Sequence, residues 1–317
     1  MASKNNKYVT LSILLIISSL ITACASPNKE ISQSESAPEL DQIEEITTEN
    51  TSIPGEVATP EPTAIPFTPT PDLRTPPDQW QNWPIVPEVT NRAREIYASG
   101  SEKGVNQNAF SKFGDCQNVS DAFLGFYDNP NRYSLNTIKP DWQETIDHFT
   151  GYFDRDGYSF GQGLNVAAAL SPLQADPDIC SPSEGPLQCE LRVVNPSFAF
   201  VSFERWWSKE TPPEVYEQYL RTIIEIVIDN GTVPILITKA DNVEGGHQIN
   251  QIIANLAFEF DIPLYNWWKA AQSLSNKGID PERNDGFHIS IDAWSTRSYF
   301  GLETLDTLWK GLEQSYE

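Results

Sequence analysis

The chain contains 317 residues, carries a formal net charge of −23, and is 39% hydrophobic. This length is enough for one large folded domain with extensions. The strong negative charge argues against nucleic-acid binding, which needs a basic surface, and against adsorption to anionic lipid through surface charge.

Residues 1–24 are predicted to form a targeting segment. Lys4 and Lys7 give a basic start, and residues 8–20 are almost wholly apolar or small. This run is short for a transmembrane helix and has the flanks of a signal peptide. The sequence Ile21-Thr22-Ala23-Cys24 resembles the lipobox of bacterial lipoproteins, in which the cysteine is lipidated and becomes the mature N-terminus. An uncleaved anchor is the alternative, and in either case we expect the rest of the chain to lie outside the cytoplasmic membrane.

Residues 25–78 are predicted to form a tether without a core of their own. The first part is rich in Ser, Glu, Thr and Asn, and eight prolines lie between Pro54 and Pro77. Such a composition has no apolar period and buries too little surface to fold. The prolines keep the segment extended, so it would hold the following domain away from the membrane.

Residues 79–317 alternate predicted strands and helices. The first strand ends near Phe113, and near-continuous apolar strands follow at 197–203, 233–238 and 262–265. The predicted helices cover 88–97, 142–149, 213–229, 248–260, 267–274 and a last segment from about 292 to 314, and a helical pattern also resumes near Val119. Residues 161–195 are predicted to be largely loop. This alternation predicts a three-layer α/β/α domain with a doubly wound, flavodoxin-like parallel sheet.

Cys116 lies at the corner where the first strand ends. In a parallel sheet all strand carboxyl ends lie on one edge, where ligands and nucleophiles are displayed. Asn284-Asp285-Gly286-Phe287-His288 forms the last loop before the final helix. A carboxylate three residues before a histidine can fix the ring tautomer and leave the other nitrogen to act as a base. Cys116, His288 and Asp285 are therefore candidates for nucleophile, base and orienting acid.

Cys180 and Cys189 bracket a loop that contains proline and glycine. In an exported protein this pattern predicts a disulfide. A metal site is the alternative, but it lacks ligands because the three histidines stand far along the chain, at 148, 247 and 288.

Two motifs together resemble the SGNH/GDSL hydrolases, a family of esterases and lipases. Gly114-Asp115-Cys116 stands where the family has Gly-Asp-Ser, and Asp285…His288 stands where it has Asp-x-x-His. The resemblance covers residues 85–317 and implies acyl or ester hydrolysis without a metal or organic cofactor. The disulfide loop also looks like that of an exported branch of these proteins.

The sequence departs from the family at the oxyanion hole. The family's Gly-x-Asn-Asp block should follow the second strand, where this chain has Glu204-Arg205-Trp206-Trp207. The family's oxyanion glycine is replaced by the segment 167–173, in which the Ser171 backbone N–H is the candidate donor; Gly161 and Gly163 lie earlier. The backbone N–H of Cys116 is then expected to be the main donor to the oxyanion.

Two hypotheses follow from these motifs. The first is a lipid-anchored hydrolase that acts on a small ester or an acylated glycan through Cys116, His288 and Asp285. The second is a catalytically inactive binding module, a pseudoenzyme, in which Trp206 and Trp207 hold a cell-surface glycan or protein. Residues 79–317 carry a net charge of −16, which disfavours anionic substrates in both cases.

Overall fold

The computed structural model describes residues 72–133, 139–159, 161, 163–203 and 211–314. The predicted targeting segment with Cys24 and almost all of the tether lie outside the described residues. One compact unit extends from Pro69 to Glu317. Arg74, within the predicted tether, donates hydrogen bonds to the Phe258 carbonyl at 2.9 Å and to Asp261 at 2.8 Å. The domain therefore begins before the predicted boundary at residue 79.

Four parallel strands form one sheet with the order β1-β2-β3-β4. They comprise β1 (Asn106–Gly114), β2 (Pro196–Ser202), β3 (Val233–Ile237) and β4 (Leu264–Tyr265). Every residue of β2 and β3 is buried, as is expected of strands covered by helices on both faces. Among the described strands, the order across the sheet is therefore the same as the order along the chain.

Seven α-helices accompany the sheet in the described residues. They are α1 (Asn91–Lys103), α2 (Trp142–His148), α3 (Pro186–Val194), α4 (Pro213–Asn230), α5 (Gln248–Phe260), α6 (Trp267–Ala271) and α7 (Ile291–Glu313). α4 packs on α3 and α5, α7 packs on α2 and α6, and α1 contacts both α4 and α7. The sheet between these two groups gives the predicted three-layer α/β/α architecture.

Two local predictions were wrong. No α-helix resumes near Val119, because the chain there forms 3-10 turns at Cys116–Asn118 and Gly125–Asp128, with Leu124 at a positive φ of 68°. The predicted loop 161–195 contains α3, whose start is fixed by Pro186 at its first turn. Leu187 and Leu191, one turn apart, are both buried and anchor this helix.

The predicted disulfide between Cys180 and Cys189 is confirmed. It joins the loop before α3 to the middle of that helix. No helix among the described residues combines the length and the apolar character that crossing a bilayer requires.

Candidate active site

Gly114 shapes the corner that presents Cys116. Its φ is +154°, and a Cβ placed on it would lie 1.8 Å from the Ser202 carbonyl oxygen and 2.0 Å from Asn118 Nδ2. No side chain fits there, because β1, β2 and the Asn118 amide meet at this point. Asp115 follows as the cap of the 3-10 turn, and its buried side chain accepts a hydrogen bond from the Gln117 backbone N–H at 3.0 Å. The first turn after the strand is thus held in one conformation.

Cys116, His288 and Asp285 lie in contact at this corner. The half-buried Cys116 Sγ is 3.2 Å from His288 Nε2, although the two residues are 172 positions apart in the chain. The other ring nitrogen, Nδ1, is 2.7 Å from Asp285 Oδ2. An Nδ1–H that donates to Asp285 leaves Nε2 as the acceptor of the thiol proton. The contacts have the geometry of a nucleophile, a base and an orienting acid.

The Asp285 carboxylate is held by its own loop. Its Oδ1 accepts hydrogen bonds from the backbone N–H groups of Phe287 and His288, both at 3.1 Å. Partial burial raises the pKa of Asp285, but these two bonds and the contact with the His288 ring outweigh burial and leave that pKa below its usual value. Asp285 is therefore ionised at neutral pH, the form that orients an imidazole.

Gln117 joins the nucleophile corner to the histidine loop. Its side-chain Nε2 donates to the Phe287 carbonyl at 2.8 Å, and the residue is 2% exposed. This bond fixes the backbone immediately before His288 relative to the residue immediately after Cys116. Gln117 belongs to none of the motifs that predicted the site, and its one signal in the sequence is its position next to Cys116.

Arg297, in α7, holds the same corner in place through its buried side chain. Its guanidinium donates to the Gln117 carbonyl, to Asn118 Oδ1 at 3.2 Å and to Ser202 Oγ at 2.9 Å. It is fully buried and lies 4.3 Å over the Phe123 ring. The sequence contained no signal for this role, because Arg297 is one charged residue within a long amphipathic helix.

The oxyanion side of the corner differs from the sequence prediction. The Ser171 backbone N–H donates to the Ala168 carbonyl at 3.1 Å, so it is engaged within its own turn. Gly114 instead pairs with Ser159 and Gly161: the Gly114 N–H donates to the Ser159 carbonyl at 3.0 Å, and the Gly114 carbonyl accepts from the Gly161 N–H at 3.3 Å. Of the glycines and serines considered, Gly161 is thus placed beside the corner. Trp206 and Trp207 lie outside the described residues.

A buried charged cluster follows β3 at the same edge of the sheet. Lys239 Nζ contacts Asp241 Oδ1 at 2.9 Å and Glu244 Oε2 at 2.6 Å. Burial raises the pKa of Asp241 to about 6, although the Lys239 ammonium opposes that shift. The loop after β3 also borders the loop of Asp285 and His288, because a Cβ placed on Gly286 would lie 3.5 Å from Val243 Cγ1.

Among the described residues, no group of three or more His, Cys, Asp and Glu side chains is placed to hold a metal ion. The chemistry that the site itself offers is proton transfer and nucleophilic attack by the thiol.

Comparison with known proteins finds distant similarity to solved structures. No family model matches the chain, and no curated protein matches it. A GDSL-like lipase from Bacteroides thetaiotaomicron has 12% identity and a TM-score of 0.39, and the match covers 67% of this chain and 98% of that one. A protein of the G-D-S-L family from Desulfitobacterium hafniense has 12% identity, a TM-score of 0.41 and coverages of 62% and 99%. A mutant acetyl-xylooligosaccharide esterase from Geobacillus has 11% identity, a TM-score of 0.41 and coverages of 63% and 95%. The likeness between these proteins and this chain is one of fold alone.

Proposed function

We propose that the domain is an SGNH-type hydrolase that cleaves an acyl ester with Cys116 as its nucleophile. One observation carries this proposal: His288 contacts the Cys116 thiol through Nε2 at 3.2 Å and the Asp285 carboxylate through Nδ1 at 2.7 Å. A thiol, an imidazole and a carboxylate in this order form a nucleophilic triad.

The first half of the reaction forms a thioester. His288 Nε2 takes the thiol proton as Sγ attacks the ester carbonyl carbon, and the carbonyl oxygen becomes an oxyanion. As the tetrahedral intermediate collapses, the C–O bond to the alcohol breaks and His288 returns the proton to the leaving oxygen. Asp285 stabilises the imidazolium that exists between these two transfers.

The second half releases the acid. Water attacks the thioester carbon while His288 takes one of its protons, and the C–S bond then breaks as that proton returns to sulfur. The products are one alcohol and one carboxylic acid for each ester and water consumed. No redox step or cofactor enters this scheme.

The oxyanion needs donors, and we assign the main one to the backbone N–H of Cys116, at the start of the 3-10 turn. The Ser171 N–H donates to the Ala168 carbonyl at 3.1 Å and the Gly161 N–H donates to the Gly114 carbonyl at 3.3 Å, so both groups are engaged and neither is assigned as a second donor. Loss of one oxyanion donor costs about 10²- to 10³-fold in turnover. A site with a reduced donor set is expected to turn over slowly.

The substrate is proposed to be a small ester or an acylated glycan outside the cytoplasmic membrane. The signal-like segment and the Cys24 motif support export and lipid anchoring, with residues 25–78 as the spacer between the lipid and the domain. The acidic domain disfavours anionic substrates.

Short acyl esters test the catalytic assignment. Hydrolysis by the full chain is compared with that by Cys116→Ala, Cys116→Ser and His288→Ala, with His148→Asn as a histidine control remote from the triad. His148 bonds the Gln107 carbonyl at 3.0 Å and stacks on Trp309. Loss of activity in Cys116→Ala and His288→Ala but not in His148→Asn is expected, and mass spectrometry should find an acyl group on Cys116 early in turnover. Equal rates for wild type and Cys116→Ala would contradict the proposal and favour the binding module.

A further inference from the structure

An open cleft of about 860 Å³ begins at the first turn of α7. It lies between that helix and the segment 121–133, and its walls include Phe126, Tyr133, Trp294 and Tyr299. None of these four rings was a candidate in the motif analysis. The volume falls in the range of pockets that enclose organic ligands of substantial size.

The cleft is lined by the chain segments that follow Cys116 and His288, although no residue of the triad is among its described lining residues. Ile291, at one end of the cleft, stands three residues after His288, and Asp121 stands five residues after Cys116. Along α7 the lining extends from Ile291 to Tyr299, which corresponds to about 12 Å at the helical rise of 1.5 Å per residue. The two walls of the cleft are therefore continuations of the chain segments that carry Cys116 and His288.

The walls combine aromatic rings with polar groups. Phe126, Tyr133, Trp294 and Tyr299 are all half-buried, so part of each remains accessible to solvent. Asp121 and Arg132 form an exposed ion pair at 3.8 Å, and Ser295 and Thr296 add hydroxyl groups. This combination suits a ligand that presents apolar faces and hydroxyl edges.

Rigid placement of the rings favours a binding role over incidental packing. The centroids of Tyr127 and Tyr133 are 5.5 Å apart, and those of Trp142 and Tyr299 are 4.9 Å apart. Because Tyr127 and Trp142 are buried, they anchor the two half-buried rings that reach the cleft. The cleft is therefore formed before a ligand arrives, which reduces the entropy lost on binding.

An acyl chain fits these walls less well. A long hydrocarbon is best held by an enclosed aliphatic surface, whereas Ile291 is the one aliphatic side chain among the described lining residues, and it is 71% exposed. A sugar ring stacks its C–H face on an aromatic ring and directs its hydroxyls to polar neighbours. The domain's negative charge selects against acidic sugars.

We propose that this cleft binds the saccharide part of an O-acylated neutral oligosaccharide. The proposal rests on the hydrolase assignment for its orientation, with the ester at Cys116 and the sugar chain directed along α7. Arg132 and the hydroxyl groups fix the ring orientation, and the aromatic rings supply the stacking surface.

Hydrolysis kinetics test the orientation. The full chain is assayed on p-nitrophenyl acetate, p-nitrophenyl decanoate and acetylated xylo-oligosaccharides of one to four rings. We expect kcat/KM to rise with the number of rings, and Trp294→Ala to lower it about 3- to 10-fold on the tetrasaccharide while leaving p-nitrophenyl acetate unchanged. Ile291→Ser, at an exposed position, provides a second cleft variant that does not threaten folding, with Leu173→Ser as its matched control at a position that is 91% exposed. A preference for the decanoate that Trp294→Ala abolishes would overturn the saccharide assignment.

Direct binding separates this proposal from the hydrolase assignment. Cys116→Ala is titrated calorimetrically with unacylated xylotetraose, cellotetraose and chitotetraose, alone and combined with Trp294→Ala. Binding of at least one tetrasaccharide that is weakened by Trp294→Ala supports the cleft even if no ester is hydrolysed. Absence of binding to all three, or binding that is unaffected by Trp294→Ala, would overturn it even if Cys116 proves to be the nucleophile.

Discussion

Gly114→Ala is expected to be the most damaging small substitution at the corner. The added Cβ would lie 1.8 Å from the Ser202 carbonyl oxygen and 2.0 Å from Asn118 Nδ2, at a φ of +154° that L-residues rarely adopt. Relief of these contacts requires β1 and β2 to separate at their carboxyl ends or Asn118 to leave its place. The second course breaks the bond from Asn118 Nδ2 to the Ser202 carbonyl, which measures 2.8 Å.

The loss in the free energy of unfolding has two contributions, backbone strain and the broken hydrogen bond. Backbone strain in a region reserved for glycine costs about 1–3 kcal/mol. Loss of the buried Asn118 bond, which deprives a buried amide and a buried carbonyl of each other, adds about 1–3 kcal/mol. The free energy of unfolding should therefore fall by about 2–6 kcal/mol, a large share of the roughly 5–15 kcal/mol that stabilises a typical domain.

Gly104→Ala is the matched control. Gly104 also has a positive φ, +75°, but a Cβ there would meet no atom within 4 Å, so only the strain of about 1–2 kcal/mol remains. Urea denaturation of the full chain, followed by tryptophan fluorescence, measures both variants. Gly114→Ala should lose about 1–3 kcal/mol more than Gly104→Ala and should lower ester turnover even below the denaturation range. Equal losses in the two variants would refute the argument that the β1–β2 corner is closed around this position.

Three further predictions concern the charged and polar groups around the corner. Gln117→Leu removes the bond to the Phe287 carbonyl and should lower kcat about 10-fold with little change in KM, because the histidine loop loses its position; an unchanged kcat would contradict this role. Asp285→Asn should lower kcat/KM by about 10²-fold or more at every pH from about 5 to 8, since the low pKa of Asp285 keeps it ionised throughout, and a loss confined to one end of the profile would contradict that reasoning. For Asp241, the folded-state pKa of about 6 exceeds the ordinary 3.8, so the native state binds more protons in that interval and its stability falls as pH rises through it. The Tm of Asp241→Asn relative to wild type should therefore rise between pH 4 and pH 7, and a constant difference would exclude this titration.

Local sequence patterns were sufficient to predict most of the sheet and its helices. The predicted helix at 248–260 coincides with α5, and the strand at 233–238 exceeds β3 by a single residue. Both segments have a strong apolar period or run, and residues that end helices or strands stand on either side of them. Predicted boundaries were wrong where such terminating residues were weak. For example, α1 continues to Lys103, beyond the predicted end at residue 97.

Amino-acid composition led to a wrong prediction at α3, where proline and glycine suggested a loop instead of a helix. The Pro- and Gly-containing stretch between Cys180 and Cys189 predicted a loop, yet α3 begins at Pro186 and contains Cys189. Proline is favoured in the first turn of a helix, so the residue that indicated a loop was also compatible with a helix start. Tertiary packing of Leu187 and Leu191 decided between these alternatives.

The sequence by itself determined which residue types reach the functional edge of the sheet. Strand ends lie on one edge of a parallel sheet, so Cys116 could be assigned to that edge from pattern alone, whereas the loop of Asp285 and His288 was joined to it through the resemblance to the SGNH/GDSL hydrolases. Only the tertiary structure decided that Cys116 Sγ and His288 Nε2 are 3.2 Å apart, that Gln117 joins their loops, and that an aromatic cleft opens between α7 and the segment 121–133. The physical reason is that periodicity encodes local conformation and burial, whereas contact distances between segments 172 residues apart depend on how every intervening element packs.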